Sequence, residues 1–277
     1  MMQINVQVDL FFAAALPGTI AALDYANLLV QTPLGIISNV ILVPFLPIFA
    51  RLADPVHCDE LKQRSRQGLL LTALTMLPLS AVFVTLALPM VQVVYERGAF
   101  DKSASQLVAS VLIAYGVGMF VYLGRDVLVR VFYALGDGDT PFRISLFNIG
   151  LNALLDFILI GRYGAPGLVL ATVGVNLVSM VALLVLLSRK INGLPWLDWG
   201  RPLILLILSS ILSGVAAWAS RWGLETWLGT EGFLINLVVL CGAGAVSLSV
   251  FAAATLVLGI PEANLLINQL KAKLLRR

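Results

Sequence analysis

The chain has 277 residues, of which 60% are hydrophobic and 12% charged, with a mean hydropathy of +0.96 and a formal net charge of +3. A soluble domain carries about a quarter charged residues, so this chain lacks the polar surface to stay in water and reads as an all-α polytopic membrane protein. The net charge is small and the basic residues are scattered between apolar runs, which argues against a nucleic-acid partner.

Met1-Met2-Gln3-Ile4-Asn5 lacks the basic n-region and small-residue cleavage site of a signal peptide. The chain reads as starting at or inside a membrane helix, as the C-terminal part of something longer. Apolar runs of about 17–25 residues, the length that spans a bilayer, are expected at about 4–22, 24–49, 68–94, 105–134, 141–160, 165–187, 202–221 and 232–258. That makes about eight transmembrane helices. The second run contains Pro33, Pro44 and Pro47, which remove backbone donors. Cys58 falls in a polar loop and Cys241 in an apolar run, so a disulfide is not expected; His57 is the single histidine and has no metal-ligand spacing around it.

Lysine and arginine are unevenly distributed. Arg51, Lys62, Arg64, Arg66, Arg130, Arg143, Arg189, Lys190, Arg201 and the tail residues Lys271, Lys273, Arg276 and Arg277 fall on one set of connections. Arg97, Lys102, Arg162 and Arg221 fall on the other. The positive-inside rule places the first set, and with it both termini, in the cytoplasm. The last residues, 263–277, read as a basic amphipathic segment on the membrane surface.

The polar residues inside these runs are the functional candidates. Asn148, Asn152 and Asp156 are spaced by four and share one helix face; Thr172 and Asn176 do the same on the next helix, across a turn expected at 161–164. A carboxylate in a membrane span costs roughly 2.5–3.5 kcal/mol on insertion scales, so Asp156 should face protein or water and have a partner. Asn148 and Asn176 are read either as interhelical hydrogen-bonding groups or as substrate contacts. Arg125 and Asp126 are adjacent and are not expected to pair, whereas Asp126 and Arg130, four apart, can. These charges form either an ion pair near a helix end or a basic lining for an anionic substrate. Gly116 and Gly118 read as close-packing positions. No Ser/His/Asp or Cys/His arrangement and no phosphate-binding glycine loop is present.

Several stretches resemble one family. Tyr25-Ala26-Asn27, Gln31-Thr32-Pro33-Leu34-Gly35 and Leu46-Pro47 are similar to the eighth transmembrane helix of the MurJ/MviN lipid II flippases. Glu96-Arg97-Gly98-Ala99-Phe100 resembles the loop after the ninth helix. Phe132-Tyr133-Ala134-Leu135-Gly136-Asp137 and Asp139-Thr140-Pro141 resemble the next connection, and Asn148-Ile149 and Gly167-Leu168-Val169-Leu170-Ala171-Thr172 continue the match. The order and spacing of these motifs cover residues 1–191, and the last two spans match only in hydropathy.

The resemblance implies the fourteen-helix fold of the MOP exporters, two six-helix lobes around a central cavity with two additional helices. Residues 1–191 would be the second six-helix lobe, and 192–277 the C-terminal helix pair and a basic cytoplasmic tail. The first lobe, which in the family supplies cavity arginines, would be a partner on the same or a separate polypeptide. The family's sodium site falls residue by residue on Asp9, Asn152, Asp156, Thr172 and the Leu168 carbonyl, giving Na⁺ as the implied cofactor. The chemistry agrees, since a hard cation takes oxygen ligands. The family's cavity Asp-Arg pair and following acid are replaced here by Asn27, Leu28 and Gln31. Substrate contacts are accordingly expected from Asn27, Gln31, Arg125 and Asn148. The implied function is part of a flippase for the undecaprenyl-linked peptidoglycan precursor in the bacterial inner membrane, with the bilayer and that lipid as partners. A related exporter of another lipid-linked glycan or drug, or a non-transporting membrane scaffold, remains open.

Overall fold

The computed structural model describes residues 9, 11–14, 16–52, 57–98, 100–229 and 232–259. Among these residues the chain is helical throughout, with seven helices long and apolar enough to cross a membrane. They are α1 (Thr19–Arg51), α2 (Cys58–Thr85), α4 (Lys102–Ala134), α5 (Asp139–Tyr163), α6 (Ala165–Lys190), α7 (Trp196–Leu228) and α8 (Phe233–Val257), with the short α3 (Ala87–Tyr95) between α2 and α4. They correspond to the second to eighth expected runs. The first expected run lies mostly outside the described residues, as does the basic tail.

The sequence explains the departures from the expected limits. In α1 the run of three prolines is absorbed by a π-helical turn at Ser38–Leu42, the kind of local widening that lets a helix accommodate an interrupted hydrogen-bond ladder. The third expected run is two helices, broken at Leu86, and its first helix starts ten residues early at Cys58. Residues 58–67, expected as a polar loop, are helical because acids occupy the first turn. Asp59 pairs with Lys62 at 3.2 Å and Glu60 with Arg64 at 3.7 Å, the side-chain spacings and polarity that support a helix start. The turn expected at 161–164 narrows to Gly164, at φ 62° and ψ −136°, with α5 continuing through Tyr163.

The bundle is organised around α4, which packs against α1, α2, α3 and α6. Its glycines allow close approach: a Cβ at Gly116 would meet Phe83 and Val84 of α2 at 3.1 Å. Helix α5 packs mainly on α6, and the α7–α8 pair packs on α2 and α3. The pair is fastened by polar contacts inside an apolar setting. The Ser210 hydroxyl donates to the Leu77 carbonyl at 2.7 Å, Ser213 bonds to Ser247 at 2.8 Å, and Arg221 reaches the Thr85 carbonyl at 3.1 Å.

One end of the bundle gathers the basic residues. Lys190, at the end of α6, donates to Asp137, in the α4–α5 turn, at 2.6 Å; Arg66 of α2 donates to the Asp198 carbonyl of α7 at 3.1 Å. Asp137 also accepts from the Thr140 amide and hydroxyl and so caps α5. The Lys190 ammonium, helped by these bonds, holds the Asp137 carboxyl down at about 2.

Candidate functional site

Helix α5 presents its polar face inward. Its buried residues are Pro141, Asn148, Asn152 and Asp156, while Leu146, Phe147, Leu154, Phe157 and Ile158 are exposed. The stripe legible in the sequence as a spacing of four is therefore the packed face, set against α6. The two helices approach closely at their shared turn, where a Cβ on Gly167 would lie 2.5 Å from the Leu159 carbonyl oxygen.

At the centre of this face the Asn152 amide nitrogen donates to Asp9 Oδ1 at 2.6 Å and to Asp156 Oδ2 at 2.9 Å. The Thr172 hydroxyl lies 3.3 Å from Asp9 Oδ2 and 3.2 Å from the Leu168 carbonyl oxygen. All five residues expected at a cation site are thus brought together, from three separate segments of the chain. Asn152 and Asp156 are fully buried, and Asn152 Oδ1 and Asp156 Oδ1 accept no hydrogen bond among the described residues. A buried acceptor without a donor is costly. Two carboxylates sharing one amide donor also bring like charges together in a poorly solvated place. Carboxylate, amide, hydroxyl and carbonyl oxygens, two of them without a donor, fit a hard cation such as Na⁺. Among the described residues no group of three or more His, Cys, Asp and Glu side chains gathers, so the set rests on two carboxylates with neutral oxygens.

This cluster borders a cavity of about 550 Å³ enclosed by α1, α4, α5 and α6. Asp9, Leu168 and Thr172 line it, and so do Asn27, Gln31, Arg125 and Asn148, the four expected substrate contacts. Asn148 is shared between the two readings: its amide donates to Ser179 of α6 at 2.7 Å, while its Oδ1 is buried without a donor. Asn176, also on the wall, donates to the Thr172 carbonyl of its own helix.

The charges on α4 differ from the expectation. The Arg125 guanidinium does reach its neighbour Asp126, at 3.8 Å; long side chains bend back across the roughly 100° between adjacent positions. Arg130 donates to the Leu42 carbonyl at the π-helical turn of α1, at 3.3 Å. Widening a helical turn turns carbonyls away from their intrahelical partners, and Arg130 reaches one of them.

The wall contains further polar groups outside the expected set. Asp24, Ser38, Tyr115, Tyr122 and Tyr133 line it. Tyr122 OH and Arg125 Nε are buried without partners among the described residues. A signal for Asp24 was present: Asp24, Asn27, Gln31, Gly35 and Ser38 recur at three- and four-residue steps and form one face of α1. The lining carries three carboxylates, Asp9, Asp24 and Asp126, against the single guanidinium of Arg125.

Comparison with known proteins gives a consistent result. The family model described as lipid II flippase MurJ matches residues 1–239. A Synechocystis protein named "Probable lipid II flippase MurJ" is 49% identical over 276 residues, covering 100% of this chain and 52% of its own. A Rhizobium tropici protein of the same name is 28% identical, covering 98% of this chain and 51% of its own. The chain therefore spans about half the length of the curated relatives it matches. A solved lipid II flippase MurJ in an inward closed conformation aligns over 92% of this chain and 52% of its own with a TM-score of 0.70 at 21% identity. A MOP-superfamily transporter from Pyrococcus furiosus aligns with a TM-score of 0.60 at 15% identity, over 92% of this chain and 61% of its own. Both support the fold.

Proposed function

The chain belongs to the lipid II flippase MurJ family, and we propose that it forms one lobe of a flippase that carries an undecaprenyl-linked peptidoglycan precursor across the inner membrane. Residues 1–191 form the second lobe of such a transporter, and 192–277 the additional helix pair and tail. The observation that carries this reading is the cavity walled by α1, α4, α5 and α6, with polar side chains set into its wall, inside a bundle whose outer faces are apolar. A lipid-linked glycan needs such a path for its polar head while its tail stays in the bilayer.

In this mechanism the head group rests against Asn27, Gln31 and Asn148, which offer hydrogen bonds without net charge, and Arg125 faces its phosphate. One guanidinium against three carboxylates is a weak anion site, so the opposing lobe, on the same or another polypeptide, supplies most of the positive charge. Alternating access rocks the two lobes about the midplane cavity. Asp9, Asn152, Asp156, Thr172 and the Leu168 carbonyl would hold Na⁺, which supplies the positive charge that two adjacent carboxylates call for. Asn152 orients both carboxylates, and Thr172 ties the Asp9 segment to α6. The end of the bundle that carries Lys62, Arg66, Lys190 and Arg201 faces the cytoplasm, by the lysine and arginine asymmetry.

The test is precursor translocation in cells depleted of their own flippase, read as access of an impermeant reagent to the lipid-linked precursor on the outer face. The chain expressed with the opposing lobe should restore access, and Arg125→Ala should reduce it. Restoration by this chain alone would overturn the one-lobe reading.

A further inference from the structure

A second cavity, of about 520 Å³, opens at the basic end of the bundle between the first turns of α2 and α7. It shares no lining residue with the central cavity. Three basic residues, Lys62, Arg66 and Arg201, and two acidic ones, Asp59 and Asp198, line it, with Trp199 at its back and Leu197 at its rim. Leu197 is 87% exposed, and its neighbour Trp196 is 51% exposed. Both sit where α7 enters its apolar run, the depth at which tryptophan marks a membrane–water interface.

The charges in this cavity are unevenly committed. Arg66 is fixed in place by its 3.1 Å bond to the Asp198 carbonyl. Among the described residues Lys62 is paired only with Asp59, whose side chain is 97% exposed and so lies in water. Arg201 is exposed and has no hydrogen-bond or ion-pair partner among the described residues. An arginine preorganised by a backbone carbonyl, an unpartnered arginine and a lysine held by a solvated carboxylate converge on one pocket. A phosphodiester meets such a set with charge-assisted bonds. The exposed leucine and tryptophan beside it would contact the first methylenes of the same molecule's acyl chains. Basic pockets between membrane helices at this depth suit anionic lipid head groups.

We infer that the cleft between Lys62 and Arg66 of α2 and Arg201 of α7 binds the head group of an anionic bilayer phospholipid. The site is separate from the transport path and joins the α7–α8 pair to the body of the lobe through a lipid. Its occupant is a resident lipid, because the cavity lies outside the walls of the central cavity.

The experiment places the full chain in nanodiscs of phosphatidylcholine and titrates phosphatidylglycerol carrying bromine on its acyl chains, read by quenching of tryptophan fluorescence. Each basic side chain at a membrane surface contributes roughly a fivefold preference for anionic lipid. The Lys62→Gln/Arg201→Gln variant should therefore bind phosphatidylglycerol about 20- to 30-fold more weakly. Arg162→Gln, at the opposite end of the bundle, should bind like the unaltered chain. Asp59→Asn, which frees Lys62, should bind more tightly, and it keeps the test decisive if the double variant fails to fold. Equal quenching by brominated phosphatidylcholine, unchanged affinity in the double variant, or no gain in Asp59→Asn would each overturn the assignment. Displacement of the lipid by millimolar inorganic phosphate would show that the cleft binds free phosphate instead, and would overturn the lipid reading.

Discussion

The sharpest test of the α5–α6 cluster compares two asparagines one helical turn apart. Asn148 and Asn152 are both buried on the inner face of α5. Asn148 donates one bond to the neutral Ser179 hydroxyl, whereas Asn152 donates to two carboxylates, at 2.6 and 2.9 Å. Bonds to charged groups are worth roughly 1.5–3 kcal/mol each. Those inside membranes measure nearer about 0.6 kcal/mol on average, because the unfolded helices find other partners in the bilayer. Between these limits Asn152→Ala should cost about 2–3 kcal/mol and Asn148→Ala less than about 1 kcal/mol. At roughly 2–4 °C per kcal/mol for a chain of this size, the expected fall in thermal midpoint is about 4–12 °C for Asn152→Ala and under about 4 °C for Asn148→Ala. Thermal unfolding in detergent, followed by intrinsic fluorescence, reads both. Adding Asp9→Asn to Asn152→Ala should cost less than the sum of the two, because the groups share one network. Equal losses for the two alanine variants would refute the idea that Asn152 is the organising donor.

Four further outcomes follow from the same geometry. If the oxygen cluster holds Na⁺, midpoints should rise with Na⁺ and not with K⁺, reflecting a stabilisation of about 2.7 kcal/mol at a hundredfold excess over the dissociation constant; Asp156→Asn should remove that difference, and no Na⁺-specific rise in the unaltered chain would rule the site out. Gly167→Val forces a side chain against the Leu159 carbonyl and should cost more than about 2 kcal/mol, measured as loss of folded protein after mild heating, whereas Gly161→Val, where nothing is crowded, should behave close to the unaltered chain. Asp137 has its carboxyl held at about 2 against 3.8 unperturbed, so its contribution is complete above that ordinary value and lost as pH falls toward 2. For a solvent-facing pair this is at most about 1 kcal/mol, and the acid limb of an unfolding curve should flatten in Asp137→Asn. Cysteines placed at Asp59 and Arg162 should be labelled from opposite sides of intact cells, with Arg162 reached by an impermeant reagent; labelling of both from outside would sink the sidedness.

Much of this was legible in the sequence, and the omissions have physical causes. Hydropathy located the spans because a helix in lipid must satisfy its backbone internally and show apolar side chains outward. It could not find the helical start at residue 58, since the first turns of α2 are built from ion pairs rather than apolar periodicity. Nor could it place the π-helical turn of α1, because three prolines in one run signal only that the helix must yield somewhere. The spacing of Asn148, Asn152 and Asp156 identified the inner face of α5, but Ser179, the acceptor for Asn148, was invisible without knowing which residues of α6 lie opposite. Adjacency misled at Arg125 and Asp126, where a flexible guanidinium bends back to the carboxylate beside it. The motif resemblance covers Asn27, Gln31 and Gly35 position by position and does not single out Asp24, which becomes visible only when these residues are placed on one helical stripe.

The orientation of α5 follows from its polar residues more than from its apolar ones. The helix buries little beyond Pro141, Asn148, Asn152 and Asp156, and its large hydrophobic side chains are exposed over much of its length. Apolar burial therefore exerts little torque on it, since lipid tails accept leucine and phenylalanine as readily as a neighbouring helix does. Turning α5 by half a revolution would expose Asp156 to the bilayer at a cost of roughly 2.5–3.5 kcal/mol. It would also break the Asn148–Ser179 bond and both bonds made by Asn152. The same groups that make the cluster chemically distinctive thus set the rotation of the helix that carries them. Asp9 is remote in sequence, so a change in its contacts with Asn152 and Thr172 is felt directly at the α5–α6 hairpin, which is the coupling the proposed rocking of two lobes requires.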